Sequence, residues 1–501
     1  MRHAHRLVLV IALVSSSLLG ADSLAQSRRP LTYEDLIAFG RVSDPQVSPD
    51  GNLVVYVVDR YSLETNSHSS SLWLTSLENK ETRQLTRPQG KSDRQPRWSP
   101  DGTTVTFLSN RSGRWQIWNI SLEGGEAWQR TDLPVSVSGL EWSPDGRWLA
   151  FTAEVYPDCY DPSSPGAILE CTRRRDEEKE KSGVQARLYD DLMIRHWDHW
   201  LDGRRSHVFV LAAAGGPARD LTPGEASVPP YLGGAREYDF SPDGQELAFA
   251  RNVDPDEELS TNSDVWVVPV TGGDPKKITS NPAWDGSPQY SPDGRWIAYR
   301  AMARAGFEAD RTRLVLYDRA TDTHVELTPN FPHQVGEFVW APDSRSLYFA
   351  SVVEAERPLY RVSVPDGALE PVVEDTNNSS LRVSPDGARL LFTRQALNRP
   401  AEVFQADPAT GDSEQVSHVN DRLLAELEMN PGESFTVEGA GGTPVQSWLL
   451  KPPGFDPAKK YPVVVLIHGG PQGTWMDGFH FRWNAQLFAA PGYVVVMPNP
   501  R

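Results

Sequence analysis

The sequence predicts a ring of repeated antiparallel β-sheets followed by the first strands of an α/β domain. Three observations support this prediction. A Ser-Pro-Asp-Gly tetrapeptide recurs along most of the chain, alternating strands flank each copy, and a late all-apolar strand ends in His-Gly-Gly-Pro. With 501 residues, the chain is long enough for two or more domains, each with its own hydrophobic core.

The first 25 residues have the pattern of an export signal. Basic residues precede an uncharged apolar stretch over residues 7–19, and residues 23–25 place small side chains where a signal peptidase reads them. The apolar stretch is short for a transmembrane helix, and a buried N-terminal helix is the alternative. We therefore expect a periplasmic or secreted protein without membrane insertion after cleavage, starting with an N-terminal segment over residues 26–45.

Charge and cysteine content restrict the partners. The formal net charge of −18 argues against a nucleic-acid partner, because proteins that bind the phosphate backbone need a basic face. The two cysteines, Cys159 and Cys171, are a disulfide candidate in an oxidising compartment, and two free thiols are the alternative. No histidine lies near them at metal-ligand spacing, so we expect no metal there.

The tetrapeptide marks the repeats of the first domain. Six copies begin at positions 48, 99, 143, 241, 291 and 384, and residues 341–344 form a degenerate seventh copy. Proline and glycine favour a tight turn, and each copy joins two alternating strands, as at residues 147–151. Repeats of about 40 to 50 residues with four short strands are typical of propeller blades. We therefore predict an all-β seven-bladed β-propeller over residues 46–430.

The third repeat is longer than the others. The interval from Ser143 to Ser241 spans 98 residues, so it holds either an eighth, unrecognised blade or an insertion in blade 3. Residues 155–205 favour an insertion, because they contain both cysteines, a charge run at 173–181 and an aromatic-histidine cluster at 195–200. We predict that the charge run is a solvated helix or loop.

The cluster at residues 195–200 has two interpretations. Arg195, His196, Trp197 and Trp200 are candidates for the wall of a substrate channel that faces the next domain. The alternative is a packed hairpin tip. His196 and His199 also have a spacing compatible with metal binding, but no third ligand is evident.

Beyond the last repeat the pattern changes. A pair of antiparallel strands within residues 434–451 precedes a continuous apolar strand at 462–467, which suits a mostly parallel sheet buried on both faces. His468-Gly469-Gly470-Pro471 follows. A helical stretch at 483–489 then leads to a second apolar strand at 493–497.

A strand that ends in His-Gly-Gly is typical of α/β-hydrolases, in which this loop supplies a backbone N–H to the oxyanion hole. Pro471 has no N–H, so Gly470 is the favoured donor and Gly469 the second candidate. His468 is expected to orient the loop. We therefore assign residues 431–501 to the N-terminal part of an α/β-hydrolase (peptidase) domain, which is incomplete.

Together these motifs resemble the prolyl oligopeptidase family of serine peptidases, in its acylaminoacyl-peptidase and dipeptidyl-peptidase-5-like branches. The resemblance covers about Leu31 to Arg501 and is carried by the tetrapeptide series and by residues 31–36, 42–45, 195–198 and 461–473. It implies hydrolysis of short peptides through an acyl-enzyme, with a serine, an aspartate and a histidine on the hydrolase domain. It also implies a propeller that gates access, and no cofactor.

The sequence contains no Gly-x-Ser-x-Gly motif. The family order places the catalytic triad after the strand at 493–497. We therefore expect a C-terminally truncated chain with no catalytic residue of its own, and a triad after Arg501. A non-catalytic TolB-like propeller binding module and an inactive homologue are the alternatives. The sequence does not determine whether cleavage is exo or endo, which residue is preferred at the cleaved bond, or the oligomeric state. Release of dipeptides would also need an acidic group that binds the α-ammonium of the substrate. The candidates for this group are Glu177, Glu178, Asp198 and Asp256.

Overall fold

The computed structural model describes residues 28–500 except Pro165, Asp190, Asp191, Met193, residues 231–236, Asp375 and Pro471. The predicted export signal at 1–25 lies outside the described residues, and so does Pro471 of the His-Gly-Gly-Pro motif. No helix in the described part is long and apolar enough to cross a membrane.

Seven four-stranded antiparallel sheets follow one another along the chain after helix α1 (Tyr33–Ala38). The first sheet contains β1 (Arg41–Val47), β2 (Leu53–Ser62), β3 (Ser67–Ser76) and β4 (Thr82–Gln84), and the second contains β5 (Asp93–Trp98), β6 (Thr104–Ser109), β7 (Gln116–Ser121) and β8 (Trp128–Gln129). The third contains β9 (Ser138–Trp142), β10 (Trp148–Val155), β13 (Arg205–Ala212) and β14 (Arg219–Asp220). An insertion between β10 and β13 forms a separate hairpin of β11 (Arg195–His196) and β12 (His199–Trp200). The fourth contains β15 (Tyr238–Phe240), β16 (Glu246–Arg251), β17 (Asp264–Pro269) and β18 (Lys276–Lys277), and the fifth β19 (Asp285–Tyr290), β20 (Trp296–Ala301), β21 (Arg313–Asp318) and β22 (Thr323–Glu326). The sixth contains β23 (Phe338–Trp340), β24 (Ser346–Ala350), β25 (Leu359–Ser363) and β26 (Leu369–Val373), and the seventh β27 (Asn377–Val383), β28 (Leu390–Ala396), β29 (Arg399–Ala406) and β30 (Ser413–Gln415).

Each tetrapeptide forms the turn between the first two strands of its sheet. In the first copy, the Ser48 hydroxyl donates to the Asp50 carboxylate and accepts from the N–H of Leu53 at 2.9 Å. Gly51 closes the turn at φ 74°, a conformation that glycine adopts without steric cost. In the degenerate copy, Ser344 occupies the same position at φ 61°, so the turn persists without glycine.

The sheets form a closed ring. A cluster of buried apolar side chains lies between every pair of neighbouring sheets, and the closing cluster joins Tyr56 of the first sheet to Leu391 of the seventh. At this junction the Asn420 side chain donates to the carbonyl of Gly40 at 2.9 Å and accepts from its N–H at 2.8 Å. Closure buries a face of each sheet that no single repeat buries alone.

The third sheet is interrupted by residues 156–204. Strands β10 and β13 pair directly across the interruption, from Trp148 opposite Ala212 to Val155 opposite Arg205. The insertion contains a short 3₁₀ turn (Pro157–Cys159), helix α2 (Ala167–Ser182) and the β11–β12 hairpin, and a disulfide joins Cys159 to Cys171. The charge run lies on α2, where Arg173 pairs with Glu170 and Glu177.

The chain then leaves the ring through α3 (Asp421–Glu426) and builds an eighth four-stranded sheet. Its strands are β31 (Glu433–Glu438), β32 (Pro444–Leu450), β33 (Val463–Val465) and β34 (Val494–Pro498), in the spatial order β31, β32, β34, β33. Strands β33 and β34 are parallel and are connected through α4 (Ala485–Ala489), whereas β31, β32 and β34 pair antiparallel. The remaining 3₁₀ turns are Glu257–Leu259 and Ala440–Gly442.

The apolar strand predicted at 462–467 is shorter and more exposed than a fully buried strand. Strand β33 ends at Val465, and the side chains of Val463, Val465 and Ile467 are exposed. By contrast, Val495 and Met497 of β34 are buried, because β34 lies inside the sheet and packs against α4. The expectation of burial on both faces is therefore wrong for β33 in the described residues. In β34 only the face that carries Val495 and Met497 is buried, whereas Val494 and Val496 are half-buried.

The eighth sheet is attached to the ring by its loops. The Asp477 carboxylate accepts from the N–H of Leu397 at 2.7 Å, and the Asp477 N–H donates to the carbonyl of Ala355 at 2.9 Å. Phe479 packs edge-to-face on Phe39 with ring centroids 5.4 Å apart. These contacts set the loop after β33 against the sixth and seventh sheets and against the segment before the first sheet.

Candidate functional site

The loop that follows β33 requires glycine. Gly470 has φ 143°, and a Cβ at this position would lie 2.8 Å from the backbone nitrogens of Gln472 and Gly473. His468 Nδ1 lies 3.0 Å from the carbonyl oxygen of Gly469, so this nitrogen carries the proton and donates. The imidazole is thereby bound to its own loop and orients it.

The backbone N–H groups of Gly469 and Gly470 are available to a ligand. Both residues are exposed, and neither N–H donates to an acceptor within the part of the chain that the structure describes. Two free amides on a glycine loop are suited to stabilising an oxygen that becomes negatively charged, since no side chain obstructs its approach. This is the chemistry that an oxyanion hole supplies.

Tryptophan and asparagine side chains fix the floor beneath this loop. The Trp475 indole donates to the carbonyl of Leu466 at 3.0 Å, and the Trp475 N–H donates to Asn499 Oδ1 at 2.6 Å. The Trp448 indole donates to the carbonyl of Trp475 at 2.9 Å. Because Trp448 is buried in the eighth sheet, these bonds tie the loop to a rigid element.

A cavity of about 730 Å³ opens beside the glycine loop. Gly469 and Gly470 border it from the eighth-sheet side, Trp197 from the insertion, and Asn377 and Gln395 from the seventh sheet. Apolar and aromatic side chains form much of the remaining wall: Ile467, Trp475, Phe479, Trp483, Phe488 and Met497. A mostly apolar cleft of this size with a few polar groups is typical of a small-ligand site.

The structure separates the predicted channel residues into two groups. Trp197, at the hairpin tip, borders the 730 Å³ cavity beside the glycine loop, here called the main cavity, and 84% of its surface is exposed. Arg195 borders a second cavity of about 450 Å³, together with Trp197 and Asp198. Trp200 instead stacks on Tyr189 within the insertion, with ring centroids 6.1 Å apart.

His196 lies opposite His199 in the hairpin, and neither His196 nor Trp200 borders the described parts of these two cavities. Within the described ranges, no group of three or more histidine, cysteine, aspartate or glutamate side chains could hold a metal ion. The segment is thus a hairpin whose tip reaches the cavity.

Two titratable groups near the cavity have shifted pKa values. Burial and the nearby Arg482 lower the pKa of His480, whose Nδ1 accepts from the N–H groups of Arg482 at 3.0 Å and Trp483 at 2.9 Å. This imidazole is therefore neutral at neutral pH. Burial also raises the pKa of Asp477, against the opposing effect of the hydrogen bond from Leu397.

Asn377 and Gln395 were not identified from the sequence. They occupy ordinary strand positions in β27 and β28, and no motif distinguishes them. The only available signal was their place in the last repeat, next to the connection that leads into the α/β segment.

Comparison with known proteins gives consistent results. A family model described as a TolB beta propeller domain matches residues 35–156. The dipeptidyl-peptidase 5 of Porphyromonas gingivalis is 29% identical over 505 residues, which cover 98% of this chain and 71% of that protein. The dipeptidyl-peptidase 5 of Trichophyton equinum is 30% identical over 518 residues, covering 96% of this chain and 69% of that protein.

A solved structure shows the same fold. Pyrococcus horikoshii acylaminoacyl peptidase superposes with a TM-score of 0.72 at 20% identity, covering 94% of this chain and 67% of that one. The sequence relatives extend over the ring and the eighth sheet alike, which agrees with the resemblance carried by the tetrapeptides and the glycine loop. The chain belongs to the prolyl oligopeptidase family of serine peptidases, in the branch of the dipeptidyl-peptidases 5.

Proposed function

We propose that this protein releases short fragments, dipeptides foremost, from the amino end of peptides by an acyl-enzyme mechanism. The observation that carries the proposal is the glycine loop beside a cavity of about 730 Å³: Gly469 and Gly470 are exposed, and their N–H groups have no acceptor among the described residues. The dipeptidyl-peptidases 5 to which the chain is similar support the choice of product.

In this mechanism a serine attacks the carbonyl carbon of the scissile peptide bond, and the carbonyl oxygen gains negative charge. The N–H groups of Gly470 and Gly469 donate to that oxygen and lower the energy of the tetrahedral intermediate. Collapse of the intermediate releases the amine product and leaves an acyl-enzyme, which water hydrolyses in a second, equivalent step.

We place the serine, aspartate and histidine outside these 501 residues. The sequence has no Gly-x-Ser-x-Gly motif, and the matched region covers 71% of the Porphyromonas gingivalis relative, which leaves room for further hydrolase sequence. The mixed sheet at residues 433–498 would be the start of that α/β-hydrolase domain.

We further propose that the ring is a seven-bladed propeller that restricts access to the cavity. The closed circle of seven core clusters supports it, and so does Trp197, which brings the third sheet's insertion to the cavity rim. Short peptides enter such a space more readily than folded proteins. The export signal predicted at residues 1–25 would place this activity in the periplasm or outside the cell.

The test is active-site labelling of the full-length gene product with a fluorophosphonate, followed by hydrolysis of a dipeptidyl aminomethylcoumarin. Labelling and release of the dye are expected. A TolB-like binding module or an inactive homologue, for which the TolB propeller match is the supporting observation, would take no label and release no dye.

A further inference from the structure

We infer that a cavity between the second and third sheets is a second binding site for short peptides with free termini, separate from the main cavity. The inference goes beyond the proposed function, because it concerns binding and requires no catalytic group.

This cavity has a volume of about 590 Å³ and is here called the arginine pocket. Arg94 and Arg114 border it from the second sheet, and Arg204 borders it beside the third. None of its described lining residues borders the main cavity. Ser138 in the pocket begins the first strand of its sheet, as Asn377 in the main cavity does, so both cavities lie on the same face of the ring.

Arg94 supplies a cation with no counter-ion in contact. Its guanidinium lies over the Trp115 indole, 3.8 Å from the ring centroid, which fixes the orientation of its plane. No carboxylate among the described residues forms an ion pair with Arg94, and burial lowers its pKa more than the attraction of Asp59 raises it. An arginine side chain stays protonated nonetheless, so this half-buried cation favours an anionic ligand.

Arg114 supplies a second cation. It is exposed, lies next to Trp115 in the chain and forms no ion pair within the described ranges. A carboxylate accepts two parallel N–H bonds from a guanidinium, so two such groups beside one aromatic plane suit the carboxyl end of a peptide.

The third-sheet side of the pocket is acidic. Glu154 borders it from β10, and Asp176 borders it from α2. Arg204 pairs with Asp176 at 2.7 Å, whereas Glu154 is exposed and forms no ion pair in the described part of the chain. Two carboxylates with one guanidinium leave a net negative charge on this side, which attracts an ammonium group.

A cationic side and an acidic side in one pocket match a molecule that carries both charges at its two ends. The termini of an extended dipeptide are about 7 Å apart, and a space of about 590 Å³ accommodates it. Trp115, Val135 and Pro229 supply apolar surface for its side chains. If the proposed function holds, the released dipeptides would be a source of such peptides.

A purely structural role for Arg94 is the competing explanation. On this explanation Arg94 only covers Trp115, as Arg251 covers Trp266 at 4.3 Å in the fourth sheet. Both arginines have a buried Nε without a partner among the described residues, but Arg251 does not border the arginine pocket. Arg251→Met is therefore the matched control for Arg94→Met, since methionine keeps an aliphatic stem on the indole.

The experiment measures, by calorimetry on the full-length protein, the binding of dialanine, of its N-acetyl form and of its C-terminal amide. Acetylation and amidation each remove one charged end, and each is expected to weaken binding to the wild type about tenfold, the loss of one hydrogen bond to a charged group. N-acetyl-dialanine that binds as tightly as dialanine would reduce the pocket to an anion site and overturn the inference.

Arg94→Met is expected to weaken dialanine binding about tenfold, for the same reason, and to leave binding of the amide unchanged. Arg114→Gln, at an exposed position where folding is not at risk, should act in the same direction. Glu154→Gln should weaken binding of dialanine and spare the N-acetyl form. Arg251→Met should change none of the three. Equal weakening of all three peptides by Arg94→Met, or equal effects of Arg94→Met and Arg251→Met, would overturn the inference.

Treatment with a fluorophosphonate separates the arginine pocket from the main cavity. A label on the nucleophile would occupy the main cavity, and dialanine binding is expected to persist. Loss of dialanine binding on labelling would locate the peptide in the main cavity and overturn the inference. If the protein takes no label and turns over no substrate, the proposed function fails, while the variants still test the pocket. A wild type that binds no dialanine overturns the inference alone.

Discussion

Trp197 and Gly470 border the same cavity, although one belongs to an insertion in the third sheet and the other to the loop after β33. The indole has 84% of its surface exposed, so it contributes little to the packing of the ring. It lies beside a glycine loop whose two N–H groups have no acceptor among the described residues, which connects the insertion to the proposed oxyanion site.

Replacing Gly470 with alanine should abolish most of the activity of the full-length protein while leaving it folded. A Cβ at φ 143° would lie 2.8 Å from two backbone nitrogens, so the loop must shift. Its N–H groups would then no longer point at the position of the oxyanion. Loss of one oxyanion donor lowers kcat by about 10²- to 10³-fold. Steady-state kinetics and thermal melting measure the two effects.

Gly454→Ala is the control for that variant. Gly454 also has positive φ, 62°, but a Cβ there would meet nothing within 4 Å. It should cost about 1 kcal/mol of stability for the backbone conformation and leave kcat unchanged. Equal kinetic losses in the two variants would contradict an oxyanion role for the Gly470 loop.

Replacing Trp197 with alanine should change substrate selection and not stability. Because the side chain is mostly exposed, the melting temperature should stay within about 1 °C of the wild type. The widened rim should improve kcat/KM for longer peptides relative to dipeptidyl substrates. Trp128→Ala is the control, as Trp128 is also exposed but lies on strand β8 of the second sheet. An unchanged ratio in Trp197→Ala would remove this residue from the access route.

Replacing Asn420 with alanine should weaken closure of the ring. Its side chain bonds both backbone groups of Gly40 and donates to Glu402 at 3.1 Å. Removal leaves buried groups unsatisfied, at a cost of about 2 to 4 kcal/mol. The midpoint of urea unfolding reports this cost. Asn52→Ala, at an exposed turn, should leave the midpoint unchanged, and similar midpoints for both variants would contradict the role of Asn420.

Stability should fall as the pH rises from about 4 to 8, in part because of Asp285. Burial raises the pKa of Asp285 to about 7 from its ordinary value of 3.8. The folded protein therefore holds a proton that the unfolded chain has released over this range, and folding is favoured at the acidic end. The contribution is complete below the unfolded pKa and is lost as the pH passes 7. Glu402, with a pKa also raised to about 7 by burial, acts in the same direction.

Asp285→Asn should flatten this pH dependence, because the amide does not titrate. Thermal melting between pH 4 and pH 8 measures the slope in each protein. The exposed Asp386→Asn is the control; hydrogen bonds from Ser384 and Ala388 lower the pKa of Asp386, so its removal should not flatten the slope. An unchanged slope in Asp285→Asn would show that this carboxyl is already ionised in the folded protein.

The sequence predicted the parts of the fold that local chemistry determines. A turn such as Ser48 to Gly51 depends on proline, aspartate and glycine within four residues, so each copy marks a strand junction whatever surrounds it. Even Ser344 keeps the turn in the copy that lacks glycine. The glycine loop is equally local, because Gly470 needs its backbone conformation for reasons within three residues of itself.

Long-range packing determines the rest, and periodicity does not record it. Nothing near Asn377 in the chain indicates that Gly478 will pack against it. Trp197 and Trp200 are equivalent by composition, but one points to the cavity and the other stacks on Tyr189. Likewise β33 and β34 are both runs of valine, and only their places in the sheet decide which is buried.

Each of the seven sheets takes all four of its strands from one stretch of chain. The last sheet is joined to the first by an apolar cluster, by Asn420 and by ion pairs between Arg382 and Asp44 and between Lys80 and Glu414. Six of the seven junctions are thus also crossed by the polypeptide, whereas the seventh is held by side chains and hydrogen bonds. This junction is therefore the mechanical seam of the ring. Under tension or partial denaturation the ring should open at this junction first. The amides of β1 and β29 should therefore exchange hydrogen faster than the amides of strands in the other sheets.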